Sequence, residues 1–465
     1  MTQFFNLWSS RRALRASVSK GDGAYRPSAQ STGFVQLLCP RKLPHTISNA
    51  NGPFVVNDFS ETNAAETQLV HDFLIKVGLL LHRFGTPSHR LERVMTQVSK
   101  SLGVSGVFLY TPTALVISIA DAQGEKTYLR RVDSGSINVD KLIRFDEVLE
   151  QLEDRRLSVA QASKLLDKVE QAAPPYSEAM TVLACAISCG AVAIFFRGSF
   201  IEVAVAMVLG LVVALLEVLH ARLKLETGFL EPLAGIVASV GALAIAHFVV
   251  PIDDRLVTLA ALIVMIPGLR LTVALTELAV GHLSAGVARL AGASVSLLTI
   301  TIGVALGWQV ANSWRNLPLD TTVWAMPAYW QWIAISIAPI TFSIVFRARW
   351  PQWPVIFAVT VVGFVVSMLA GAQAGREVGA FCGALSVGIG SNLYARIRDR
   401  PALVPLTPGI IVLVPGSLGY RSLTAFIDHD STAAVEFGFS MVMVAVALVG
   451  GILTSNAVLP PKRIL

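Results

Sequence analysis

Between residues 179 and 459 the chain is a succession of apolar runs, each about as long as a helix that crosses a bilayer. A hydrocarbon core of about 30 Å takes about 20 apolar residues of α-helix, and every backbone polar group within it must be satisfied internally. Ten runs meet that requirement: 179–196, 198–219, 229–250, 254–276, 284–310, 327–346, 350–371, 375–395, 403–426 and 432–459. Charge is distributed accordingly. Of the first 178 residues 39 are Lys, Arg, Asp or Glu, against 29 of the remaining 287. Only 15% of all residues are charged, where a soluble globular chain carries about 25%. This excludes a soluble enzyme, a disordered chain and a nucleic-acid binder. It predicts an α-helical polytopic membrane protein with about ten transmembrane helices in a lipid bilayer, preceded by a polar domain.

The net charge of +6 is local. Residues 1–56 carry seven basic side chains, from Arg11 to Lys42, against Asp22 alone. Residues 1–60 read as a basic, disordered leader; their Arg- and Ser-rich character is also that of a transit peptide. Cys39, Cys185, Cys189 and Cys382 are too few and scattered for a disulfide framework or a metal site, and read as small apolar residues.

Residues 66–173 predict a small α+β domain. A helical stripe of Leu69, Phe73, Val77, Leu80 and Leu81 stops at Phe84-Gly85-Thr86-Pro87, and a second helix carries Leu91, Val94, Met95 and Val98. Val107–Ala120 and Lys126–Val132 read as strands, followed by helices over Val139–Leu152 and Ser158–Gln171. A polar motif sits at the first helix break, with His82, His89, Arg90 and Glu92. His82, His89 and Glu92 are candidates to converge on a metal, but a solvated helix surface with one buried ion pair is the simpler account. Arg90 and Glu92, two apart, do not share a helix face. The chain has no G-x-x-x-x-G-K-[ST] phosphate loop, so no ATP-driven step is expected within it.

Lys and Arg alternate along the connections. Arg222 and Lys224, Arg270 and Arg289, Arg347 and Arg349, Arg396, Arg398 and Arg400, and Lys462 and Arg463 alternate with the single residues Arg197, Arg255, Arg315, Arg376 and Arg421. The positive-inside bias then places both termini and the polar domain in the cytoplasm. Ten spans divide into five-helix halves, 179–310 and 327–459. Ile266-Pro267-Gly268 precedes Leu275-Thr276 as Val414-Pro415-Gly416 precedes Leu423-Thr424, each in the fourth span of its half. An odd number of spans inverts the second copy, so the halves read as inverted repeats.

Proline and glycine within a span free carbonyls and begin a new helix, whose amides and dipole favour an anion. The predicted substrate site is therefore Pro267, Gly268, Arg270, Thr272 and Thr276 with Pro415, Gly416, Ser417, Arg421, Ser422 and Thr424. The breaks would hold a carboxylate, the arginines would complement it and the hydroxyls would read a polar side chain. Acidic residues in or near spans are candidates for proton coupling: Glu277 first, then Glu217, Glu231, Glu377 and Glu436. Asp253-Asp254, Asp428-His429-Asp430 and His282 read as interfacial loop residues.

From residue 66 onward these motifs resemble the threonine/serine exporter family. The resemblance rests on Gly85-Thr86-Pro87-Ser88-His89-Arg90-Leu91-Glu92, Thr111-Pro112-Thr113, Met265–Gly286, Thr407-Pro408-Gly409, Leu413-Val414-Pro415-Gly416-Ser417, Gly419-Tyr420-Arg421-Ser422-Leu423 and Leu459-Pro460-Pro461-Lys462-Arg463. It implies export of threonine or serine across the bacterial inner membrane by proton antiport, with no cofactor beyond the proton motive force. The family also includes two-protein systems associated with succinate export, so a dicarboxylate exporter is the alternative; a membrane-tethered hydrolase-like domain is a third reading. Glu277 and His282 stand where the family pattern leads one to expect aspartates, and Arg197 where it tends to have glycine. Oligomeric state is left open.

Overall fold

A computed structural model describes residues 59–462, except 122–123, 134, 227, 312–325 and 328. The basic leader before residue 59, Cys39, Arg315 and Arg463 lie outside the described residues.

Helices α1 (Phe59–Arg83) and α2 (Ser88–Ser101) are joined by a turn in which Gly85 takes φ +81°. A Cβ there would lie 2.8 Å from the Ile137 nitrogen, so both the angle and the space require glycine. Strands β1 (Ser105–Thr111), β2 (Ala114–Asp121) and β3 (Gly124–Arg131) form an antiparallel sheet in sequence order. The single strand expected over 107–120 is thus two. Pro112 has no N–H for a ladder, and the Thr111 hydroxyl oxygen accepts the Ala114 N–H at 3.0 Å, closing a two-residue turn. Alternation along β2 sends Leu115, Ile117 and Ile119 inward, where they meet Phe73, Leu81, Leu91, Met95 and Phe145. Two further helices complete this part, α3 (Val139–Glu153) capped by Asn138 and α4 (Val159–Gln171) opened by a Ser158–Gln161 capping box.

The apolar part comprises α5 (Glu178–Phe195), α6 (Phe200–Leu223), α7 (Leu230–Phe248), α8 (Asp254–Leu262), α9 (Gly268–Ala279) and α10 (Leu283–Val310). It continues with α11 (Trp330–Val345), α12 (Trp353–Ala374), α13 (Arg376–Arg398), α14 (Leu403–Ile411), α15 (Gly416–Ile427) and α16 (Ser431–Val458). Among the described residues, eight helical segments are long and apolar enough to cross a membrane, with Leu403–Ile427 taken as one. Two expected spans differ from that pattern. The stretch 254–276 is interrupted between α8 and α9 at Ile263–Pro267, and α11 has only 16 residues. The first difference follows from Pro267, which cannot donate to the helical ladder; Pro415 does the same between α14 and α15.

Packing around the two interruptions corresponds. α8 packs on α6 and α7, as α14 packs on α12 and α13; α9 packs on α10, as α15 packs on α16. Contacts also cross over, α9 to α16 and α15 to α10.

Candidate functional site

The two Pro-Gly breaks touch. A Cβ at Gly268 would overlap Val414 Cγ1 and lie 3.1 Å from Gly416 Cα; one at Gly416 would lie 3.1 Å from Gly268 Cα and 2.9 Å from Ile266 Cγ2. Only glycine at both positions lets the backbones approach so closely. Pro267, Gly268, Pro415 and Gly416 are all buried. The crossing therefore gathers two helix N-termini with the positive ends of their dipoles; the Gly268 N–H already donates to the Ile266 carbonyl at 2.8 Å and the Leu418 N–H to the Pro415 carbonyl at 3.0 Å, so only part of each first turn is left for a ligand.

Around this crossing the predicted residues divide. Thr272 and Thr276 are buried, and their hydroxyls donate one turn back to the Gly268 and Thr272 carbonyls at 3.2 and 2.8 Å. Ser422 donates to the Ala434 carbonyl at 2.7 Å and Thr424 to the Tyr420 carbonyl at 3.1 Å, while Ser417 is half-buried. The Thr272, Thr276, Ser422 and Thr424 oxygens keep lone pairs for a ligand, but their protons are engaged. The arginines are not brought together. Arg270, exposed on α9, is within electrostatic reach of Glu217 on α6, whereas Arg421 on α15 stacks 4.7 Å over the Phe196 ring and is within reach of Asp253 and Arg376. Glu231 and Glu377 are half-buried near helix starts, and Glu436 is exposed.

Glu277 is fully buried at the far end of α9. It receives Arg289 at both oxygens, Nε to Oε2 at 3.0 Å and Nη2 to Oε1 at 3.2 Å. Its Oε1 also accepts the backbone N–H of Ser88, first residue of α2, at 2.9 Å. A carboxylate at a helix N-terminus meets both the open amides and the positive end of the dipole. The polar motif after Gly85 is thus a seat for α9. Beside it, His282 Nδ1 lies 3.3 Å from Glu92 Oε1, and the His89 and His282 ring centroids are 6.2 Å apart. A cleft of about 460 Å³ opens here, lined by His89, Glu92, Arg93, Thr96, Gln97, Lys100 and His282.

Charges at this junction are shifted by burial. His89 is held down to about 3 by desolvation and then by Arg90, Arg93, His282 and Arg289. Desolvation likewise lowers His82, and burial with Arg93 lowers Arg90 to about 10. Glu92 is raised by burial against the pull of His282. Arg90 is buried while Glu92 faces the cleft, in keeping with their separation of two along a helix. Among the described residues, no three His, Cys, Asp or Glu side chains gather as a metal-binding group.

Other contacts seat the same face on the second half. The Val139 N–H donates to the Phe346 carbonyl at 3.0 Å, Tyr176 to the Ala348 carbonyl at 2.7 Å, and Arg349 pairs with Asp140 at 2.8 Å. Arg400 pairs with Glu147. The α+β elements therefore sit against the Lys/Arg-rich connections. His282 lies in the connection before α10, as the sequence predicts, but it faces Glu92. The pairing of Arg289 with Glu277 is not visible as more than a topology marker in the sequence, because the Ser88 amide that completes it is far away in the chain.

Family profiles described as threonine/serine exporter match residues 72–311 and 331–458. The chain belongs to the threonine/serine exporter family. It is also similar to the pheromone-regulated membrane protein 10 of two yeasts. Identity is 27% over 483 residues with that of Eremothecium gossypii, covering 97% of this chain and 65% of the relative. With that of Zygosaccharomyces rouxii it is 26% over 425 residues, covering 84% and 43%. An uncharacterised protein of Schizosaccharomyces pombe is 24% identical over 423 residues, covering 84% of this chain and 55% of its own. The chain thus spans 43% to 65% of the length of these three relatives. No solved structure matches this exporter-family chain. Membership and the apolar helices make it a multi-pass membrane protein of a transporter family.

Proposed function

We propose that this chain is a secondary transporter that exports threonine or serine by proton antiport, working by alternating access between two inverted five-helix halves. The observation that carries this is the backbone contact between Gly268 and Gly416. Matched interrupted helices that meet at their breaks suit a substrate site at the centre of a membrane transporter. The corresponding packing of α8 with α14 and of α9 with α15 supports the repeat, and counting each interrupted helix as one crossing, with α11 as the short one, supports ten spans. The helix N-termini at the crossing favour a carboxylate. Separation of Arg270 from Arg421 favours a ligand with one carboxylate over a dicarboxylate. Seating of the α+β elements on the Lys/Arg-rich connections supports a cytoplasmic location for them. Glu277, saturated by Arg289 and Ser88, is better suited to holding α9 than to releasing a proton, so the coupling group is sought elsewhere.

Thermal unfolding of the purified full chain in detergent, titrated with threonine, serine or succinate, tests the substrate. Stabilisation by threonine or serine, lost in Gly268→Val, supports the reading. Stabilisation by succinate alone, or by none of the three, overturns it.

A further inference from the structure

The end of the crossing remote from the α+β elements carries two ties between the halves. Arg255, in the first turn of α8, meets Asp428, at the end of α15, through both guanidinium nitrogens: Nη1 to Oδ2 at 2.7 Å and Nη2 to Oδ1 at 2.9 Å. Arg421, about two turns earlier on α15, places its guanidinium over Phe196 at the end of α5. One tie runs from a cation of the first half to a carboxylate of the second. The other runs from a cation of the second half to an aromatic ring of the first.

The first-half side of this contact is anchored. Asp253 caps α8, its Oδ1 accepting the Arg255 and Leu256 N–H groups at 3.0 Å each. The Asp253 N–H in turn donates at 2.8 Å to Glu202, a buried carboxylate that also accepts the Ser199 N–H at 2.6 Å. The Arg255 guanidinium lies 5.6 Å from the Trp308 ring on α10. Arg255 is therefore fixed to α6 and α10, and Asp428 is the end of a helix that starts at the crossing. At 1.5 Å per residue the helical stretches of α8 and α9 between Arg255 and Glu277 add up to roughly 24 Å, on either side of the Ile263–Pro267 break, so the two residues lie towards opposite ends of the crossing. The Arg255 side chain is 53% exposed and that of Asp428 18%. A pair open to water contributes little to stability, so it can break in the ordinary course of a conformational cycle.

We propose that Arg255–Asp428, backed by Arg421 on Phe196, is the latch that closes the transport path on the face away from the α+β elements. This inference rests on the transporter reading. It makes the arrangement described above the state closed to that face, which opens when α15 leaves α8 and α5.

Accessibility tests it without any substrate. Thr424 lies on α15 between the crossing and Asp428. In the full chain with Cys39, Cys185, Cys189 and Cys382 replaced by alanine, Thr424→Cys is treated with a membrane-impermeant maleimide on intact cells. Loss of a partly exposed pair shifts a two-state population by about threefold, so Asp428→Asn and Arg255→Asp should each raise the labelling rate about that much. The charge-swapped Arg255→Asp/Asp428→Arg chain should return it to the starting rate, and Arg421→Ala should raise it as well. Unchanged labelling in Asp428→Asn and Arg421→Ala overturns the latch. So does failure of the swap to restore the rate in a protein that unfolds at the parent temperature. Efflux by the parent chain separately tests the transporter reading, so either can fail while the other stands.

Discussion

The backbone N–H of Ser88 and the carboxylate of Glu277 meet at 2.9 Å, although 189 positions separate them in the chain. Through this bond and the Arg289 pair, the helix leaving the Gly268–Gly416 crossing ends on the N-terminus of α2. A movement of α9 must therefore move the α+β elements or break the seat.

Removing the Glu277 carboxylate leaves Arg289 partly buried without its counter-charge and Ser88 without its acceptor. Breaking such a pair costs about 3 kcal/mol. Glu277→Ala should lower the thermal unfolding temperature of the purified chain strongly. Glu277→Gln keeps an oxygen for the Ser88 N–H and should lower it less. Equal unfolding temperatures for both variants and the parent chain would contradict the seat.

At the crossing, overpacking typically costs about 1–3 kcal/mol. Gly268→Ala should destabilise the chain by about that much and abolish transport, because its methyl group meets Val414 and the Gly416 backbone. Val414→Ala in the same chain removes the nearest of those atoms. It should restore part of the stability but less of the transport, since the Gly416 backbone still obstructs; full recovery of both would show that the backbones need not touch.

Protonation of His89 is opposed by folding. Its folded value of about 3 lies below the ordinary 6.5, so the unfolded chain gains a proton first as the pH falls. Stability from this group is complete above pH 6.5 and declines by up to about 1.4 kcal/mol per unit below it, until about pH 3. His82 acts in the same direction. Glu92, raised by burial, opposes both at low pH, so the comparison that matters is between chains. In thermal unfolding between pH 7 and 5, His89→Gln should lose less stability than the parent chain, and parallel profiles would refute this.

What the sequence makes legible is what depends on near neighbours. The Asn138 and Ser158 caps lie beside the apolar stripes they begin, and the matched Pro-Gly breaks are visible as a repeated pattern. The hairpin at Pro112-Thr113 is harder to read, because the β-forming residues on both sides of Thr111-Pro112-Thr113 look continuous unless the proline's missing N–H is taken as a break. Contacts between distant segments are another matter. Periodicity shows that Gly268 and Gly416 interrupt helices, but not that they meet. Nor does spacing reveal that Arg270 and Arg421 face different neighbours, or that Asp428 closes on Arg255, since each depends on how the halves pack.

The most direct measurement is efflux of labelled threonine and serine from proteoliposomes holding the full chain, with and without an imposed pH gradient. Efflux of either amino acid that is stimulated by the gradient, and absent in Gly268→Ala, is the predicted result. Efflux that ignores the gradient, or no movement of either amino acid by a chain that unfolds cooperatively, would contradict the assignment of this crossing to proton-coupled threonine or serine export.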